Sequence, residues 1–160
     1  LSAVRASPGV VDVITAEDIP GENNFGPVVA DDPILAPGLV QCIGQPLFMV
    51  VAHTVDQARR AARRAVIEYD PLPALVTVED ALAAKSFVIP SVTLERGNWQ
   101  GALAAAPHRR RGRIAIGGQE QFYLEGQIAY AVPKEDGDML VYSSTQHPGE
   151  VQHKVAHALG

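Results

Sequence analysis

An α/β (α+β) fold in two parts is predicted by three observations. Apolar runs of strand length alternate with stretches whose apolar residues recur at three- and four-residue steps. Threonines placed to cap helices stand where several of those stretches begin. Beyond the arginine cluster that ends near residue 113, the pattern changes from strand–helix alternation to a hairpin followed by a helix.

The elements follow in order. Residues 10–14, Val-Val-Asp-Val-Ile, predict a short strand. Thr15 is placed to cap a brief turn, with Glu17 and Asp18 near its positive end, and Pro20-Gly21 stops it. Residues 21–38, rich in Gly, Pro, Asn and Asp, predict a long surface loop, of a length that often packs against something else. Residues 46–53 are a near-continuous apolar run entered through Gly44-Gln45-Pro46, and predict a strand buried on both faces. Thr54 then caps a helix over 55–65. Val55, Ala58, Ala61, Ala62 and Ala65 share its inner face, and Arg59, Arg60, Arg63 and Arg64 form a solvated outer one. Residues 66–69 predict another strand, ended by Asp70-Pro71-Leu72-Pro73. Thr77, with Asp80 in an acidic capping box, opens a helix near 78–84. A first domain over residues 1–85 results.

Residues 86–113 read as a linker with one amphipathic segment around 97–106, where Trp99 is expected to anchor packing. Gly117-Gly118 reads as a bend before a strand, with Gln119–Glu125 following. Residues 127–132 and 139–143 predict a hairpin around a charged turn containing Gly137. Pro148 or Gly149 opens a last helix with Val151, Val155, Ala158 and Leu159 on one face. Residues 114–160 are the second part.

Composition narrows the functional classes. A chain of 160 residues, 47% hydrophobic and 19% charged, has the makings of one or two domains with a core of their own. Gly 14 and Pro 12 imply many turns and are too few for a disordered or collagen-like chain. A formal net charge of -5 gives no reason to expect nucleic acid or an anionic membrane as partner. Arg109, Arg110, Arg111 and Arg113 read as a solvated loop. The lone Cys42 excludes an intrachain disulfide and a thiolate metal or iron–sulfur site. It lies among apolar residues, so a buried, inert thiol in a reducing compartment is expected. No apolar run of about 18 residues exists to span a membrane. The start lacks an initiator Met and a signal segment, and the end follows directly on a helical pattern, so both ends read as cut.

Few constellations offer chemistry of their own. His153 and His157 share a helix face, as metal sites use, with His147 six residues before His153 and Glu150 as a further candidate ligand, but that spacing is common by chance and a polar helix face is the expected reading. Nothing fixes the distance between Glu120 and Glu125, so an acid/base pair has no geometric basis. Ser143-Ser144 beside His147 lacks a nucleophile elbow and an orienting acid. Gly117-Gly118 lacks the third glycine of a dinucleotide fingerprint and the Gly-Lys-Ser/Thr of a phosphate loop. The residues alone describe a two-part fold without a self-contained active site.

Five stretches, in order, resemble the molybdenum-cofactor-binding (large) subunit of the xanthine dehydrogenase/aldehyde oxidase family. They are Pro8-Gly-Val-Val-Asp-Val-Ile-Thr-Ala-Glu-Asp-Ile-Pro-Gly21; Val40-Gln-Cys-Ile-Gly-Gln-Pro46 running into Val50-Val-Ala52; Glu68-Tyr-Asp-Pro-Leu-Pro73; Gly117-Gly-Gln-Glu-Gln-Phe-Tyr-Leu-Glu125; and Ser144-Thr-Gln146. The run from Gly117 to Gly160 looks most like bacterial xanthine dehydrogenase. The family usually has His at the position of Gln121.

The resemblance implies a hammerhead-type domain over 1–85, a linker over 86–113 and the N-terminal part of the molybdopterin-binding domain over 114–160. It implies hydroxylation of hypoxanthine or xanthine toward urate with water as oxygen source. An aldehyde or another N-heterocycle is the alternative substrate, and a non-catalytic assembly module the alternative class. The implied cofactors are molybdenum–molybdopterin in the full subunit, with FAD and 2Fe-2S on a partner subunit or domain passing electrons to NAD. The implied partners are the rest of the molybdenum subunit, the FAD/iron–sulfur subunit and the purine, in an oligomeric enzyme. Gln146 matches the glutamine that approaches the molybdenum oxo group, where a neutral amide N–H can donate without adding charge. Gln119 and Glu120 are expected one layer further out. The family's glycine-rich loop with a Phe, its substrate-orienting Glu and Arg and its catalytic Glu have no match here. No catalytic residue and no direct metal ligand is therefore expected in this chain, and the chain alone is expected to be inactive, with no cofactor bound.

Overall fold

The computed structural model describes all residues, Leu1–Gly160. They form two compact units, one of Leu1–Glu68 with Tyr123–Gly160 and one of Tyr69–Phe122.

The first unit begins with helix α1 (Ser2–Arg5), strand β1 (Val10–Ile14) and a 3-10 turn (Ala16–Asp18). Strand β2 (Met49–Ala52) pairs with β1 antiparallel, from Val10 opposite Ala52 to Ile14 opposite Met49, with an irregularity between Val10 and Asp12. Helix α2 (Val55–Ala62) covers this pair. Thr54 opens it, its hydroxyl accepting from the Gln57 N–H at 3.2 Å, as its sequence position predicts. The core is small: Val4, Val13 and Ala61 are buried, with Val10, Phe48, Val50 and Ala65 packed around them. The helix expected over 55–65 ends at Ala62; its arginines are solvated, with Arg60 paired to Asp56 at 2.8 Å, and in the turn beyond it the Arg64 guanidinium donates to the Ser7 hydroxyl at 3.1 Å.

Two strand expectations are corrected. The run at 46–53 yields a strand only at 49–52, with exposed and half-buried residues alternating, because the sheet has two strands and nothing covers its outer face. Residues 66–69 form no strand. Val66 is 83% exposed, and without a neighbouring edge to pair with, an apolar run has no ladder to join.

The same unit resumes with strands β3 (Ala129–Pro133) and β4 (Met139–Ser143), an antiparallel hairpin with Tyr130 opposite Tyr142. Asp136 and Gly137 take positive φ in the turn, where glycine carries no steric penalty. Helix α5 (Pro148–Leu159) follows, with Val151, Val155 and Ala158 on its half-buried side and Leu159 exposed.

The second unit holds two short helices. In α3 (Val78–Ala83), the Thr77 hydroxyl accepts from the Asp80 N–H at 3.0 Å, the cap its sequence predicts, and donates to the Asp80 carboxylate at 2.6 Å; the carboxylate thus takes the hydroxyl rather than the Thr77 backbone N–H of a full capping box. Helix α4 (Trp99–Ala105) is capped by Asn98. Trp99, expected to anchor packing, is 48% exposed at its start. Gly117-Gly118 does not lead directly into a strand. The chain is irregular from there to β3, and Phe122 takes positive φ on the way. The arginine cluster lies in an exposed irregular stretch, with Arg113 paired to Glu79 at 2.8 Å.

Cys42 is exposed, which corrects the buried thiol. It sits in a bend just before Gly44, whose φ is +88°, and the turn carries both Cys42 and Ile43 outward.

Candidate functional site

The hairpin and α5 build the site around Gln146. Strand β4 ends at Ser143, and the next residue closes the base of the hairpin. The Ser144 N–H donates to the Ile128 carbonyl at 2.9 Å. Its hydroxyl accepts from the Ile128 N–H at 3.3 Å and donates to the Gly126 carbonyl at 3.2 Å. These bonds commit the Ser144 hydroxyl to structure. The Thr145 hydroxyl accepts from the His147 N–H at 2.9 Å and fixes the next bend. Pro148 then starts α5 with a ring already set at helical φ.

Gln146 occupies that bend. Its side chain is exposed and takes no part in the hydrogen bonds that hold the backbone there. From Pro148 a groove of about 290 Å³ runs between the hairpin and α5, lined by Met139, Val141, Pro148, Val151 and Val155. On the other strand face, the Tyr130 and Tyr142 rings stack with centroids 6.3 Å apart.

Gln119 and Glu120 are exposed on an irregular stretch of the Tyr69–Phe122 unit, and Gln146 belongs to the other unit. Glu120 and Glu125 likewise fall in different units. His147 and Glu150 are exposed, and His157 faces Glu22 at 3.6 Å. No three His, Cys, Asp or Glu side chains gather in a way that could hold a metal ion. Gln146 presents an exposed neutral amide two residues before Pro148, where the apolar groove begins. That chemistry suits a cofactor that brings its own metal ligands and asks the protein for hydrogen bonds. The one carboxylate with a clear shift lies elsewhere. Hydrogen bonds from the Thr15 backbone N–H, then from its hydroxyl, hold Asp18 below the usual carboxylate range.

Sequence reasoning missed the seat of α5. Gly21 and Glu22 donate their N–H groups to the carbonyls of Ala158 at 3.1 Å and His157 at 2.7 Å, and the Lys154 ammonium donates to the Gly26 carbonyl at 2.6 Å. Only the length of the 21–38 loop hinted at a packing role.

A hammerhead domain leading into a cofactor-binding domain is the class this architecture defines. Residues 1–73 match the family model "Aldehyde oxidase and xanthine dehydrogenase, a/b hammerhead domain", and residues 82–160 match "Molybdopterin cofactor-binding domain". The chain belongs to the aldehyde oxidase/xanthine dehydrogenase family of molybdenum hydroxylases. It is 46% identical over 160 residues to aldehyde oxidase 2 of Rattus norvegicus, and 41% identical over 160 residues to xanthine dehydrogenase/oxidase of Felis catus. Each alignment covers 99% of this chain and 12% of the relative, so the chain spans about an eighth of their length. The solved aldehyde oxidoreductase of Desulfovibrio desulfuricans shares the fold, with a TM-score of 0.76 at 21% identity, over 99% of this chain and 20% of that one. No helix is long and apolar enough to cross a membrane.

Proposed function

We propose that this chain forms part of the wall of a molybdenum hydroxylase active site, with the Gln146 amide donating a hydrogen bond to an oxygen of the molybdenum cofactor. The observation that carries the proposal is the bend after β4. Backbone and hydroxyl bonds at Ser144 and Thr145 hold it from behind and leave the amide exposed. A rigid strand end is a good mount for a group that must be placed within a few tenths of an ångström. The cofactor, when bound, supplies the two-electron oxidation of a carbon centre. The chain's own part is to orient that group and line its surroundings. Gln119 and Glu120 act further out, at the approach to the cofactor.

Within the matched stretch 82–160 we take 86–113 as a connector and 114–160 as the start of the cofactor-binding region, after a hammerhead over 1–85. FAD and 2Fe-2S groups on a partner subunit or domain, and a cytoplasmic oligomeric enzyme, complete the reading.

For the substrate, we propose a purine of the hypoxanthine/xanthine type, on the likeness of residues 117–160 to bacterial xanthine dehydrogenase. The 46% identity to a rat aldehyde oxidase favours an aldehyde as the second reading. In the full-length enzyme, Gln146→Ala should slow reduction by substrate roughly ten- to a hundredfold while leaving the fold intact. Wild-type reduction would remove Gln146 from the site. A panel of xanthine, hypoxanthine, aldehydes and nicotinate, compared by kcat/KM, decides the substrate; an aldehyde preference would overturn the purine reading.

A further inference from the structure

The loop between the 3-10 turn and β2 is a built socket. The Asn23 amide pairs with the backbone of Leu35, accepting from its N–H at 3.0 Å and donating to its carbonyl at 2.7 Å. The Asn24 side-chain oxygen accepts from the N–H groups of Gly26 at 3.1 Å and Asp32 at 3.2 Å. Leu35 is 1% exposed, so the loop has an apolar anchor of its own. These contacts fix the stretch from Gly21 to Gly26 on which α5 rests.

Helix α5 meets that stretch at three points. The N–H groups of Gly21 and Glu22 satisfy two of the carbonyls that a helix leaves unpaired at its C-terminus. Lys154 reaches the carbonyl of the buried Gly26. A Cβ on Gly21 would collide with the His157 carbonyl, so the close approach requires glycine there. The helix has 12 residues and is stiff on this scale, so fixing its far half also fixes its first turn. That first turn begins at Pro148, directly after the bend that carries Gln146.

We infer that Lys154 is a positioning residue: with Gly21 and Glu22 it clasps α5 to the loop and thereby sets the pose of Gln146. The inference rests on the proposed role of Gln146 and adds a device that controls it.

The test uses the full-length enzyme with Lys154→Met, Lys154→Arg, Gly21→Ala and Gln146→Ala, and the double variant Lys154→Met/Gln146→Ala. Backbone hydrogen exchange is read on peptides covering 19–26 and 144–160, and anaerobic reduction by substrate is timed. Lys154→Met and Gly21→Ala should speed exchange in those two segments alone, with Lys154→Arg near wild type. Lys154→Met should slow reduction roughly tenfold or more, and slow Gln146→Ala no further. Unchanged exchange in Lys154→Met, or acceleration spread through every peptide, overturns the clasp. An equal slowing in the Gln146→Ala background overturns its action through Gln146. Wild-type reduction in Gln146→Ala alone instead overturns the proposed role of that amide, and exchange alone then decides the clasp.

Discussion

Threonine hydroxyls and backbone N–H groups open three elements of this chain, and one of those caps also tunes a carboxylate. The Asp18 carboxylate accepts from the Thr15 N–H and from its hydroxyl, each at 2.7 Å, which favours its charged form. A folded value below the unfolded one fixes the sign of the pH dependence. The contribution is complete above the ordinary aspartate range of about 3.9 and is lost as pH falls through the lowered value. Carboxyl NMR should find Asp18 titrating below that range, and Thr15→Ala should raise it. A normal midpoint that the substitution leaves unmoved would refute the assignment. Such caps were legible in the sequence because a threonine hydroxyl and its partner lie three residues apart. Cys42 was not, because apolar neighbours in sequence say nothing of whether a turn sends them inward or outward.

At the scale of elements, local signals worked where an element satisfies its own backbone. Helices α2, α3 and α5 and the β3–β4 hairpin stand close to where periodicity and turn residues put them. The cap of α2 gives a direct check. Thr54→Ala should destabilise its first turn by about 1 kcal/mol, whereas Arg60→Ala should cost no more than about 0.5 kcal/mol, since its pairing with Asp56 is solvated. Hydrogen exchange along α2 measures both; equal effects would contradict the ranking. Strands were less legible. The run at 66–69 has the composition of a strand and no edge to pair with, and the run at 46–53 has a partner on one side only. Strand formation depends on what lies beside a segment, and sequence pattern does not report that.

Across the whole molecule, the notable quantity is uncovered surface. The chain exposes 14252 Å² at 17.0 kDa, against about 7,700 Å² for a compact monomer of that mass. Four hydrophobic side chains are fully buried, while Tyr130, Leu140, Tyr142 and many others stand exposed. Family and fold class were legible because motif order survives in a short stretch. The seat of α5 was not, since Gly26 and Lys154 are 128 residues apart and no local pattern links them.

The most direct test of the central claim is a crystal structure of the full-length protein loaded with its cofactor, in which the distance from the Gln146 amide nitrogen to the nearest cofactor oxygen is measured. A hydrogen bond is expected, at roughly 2.7–3.2 Å. An amide turned away from the cofactor, or buried against its own domain, would contradict it.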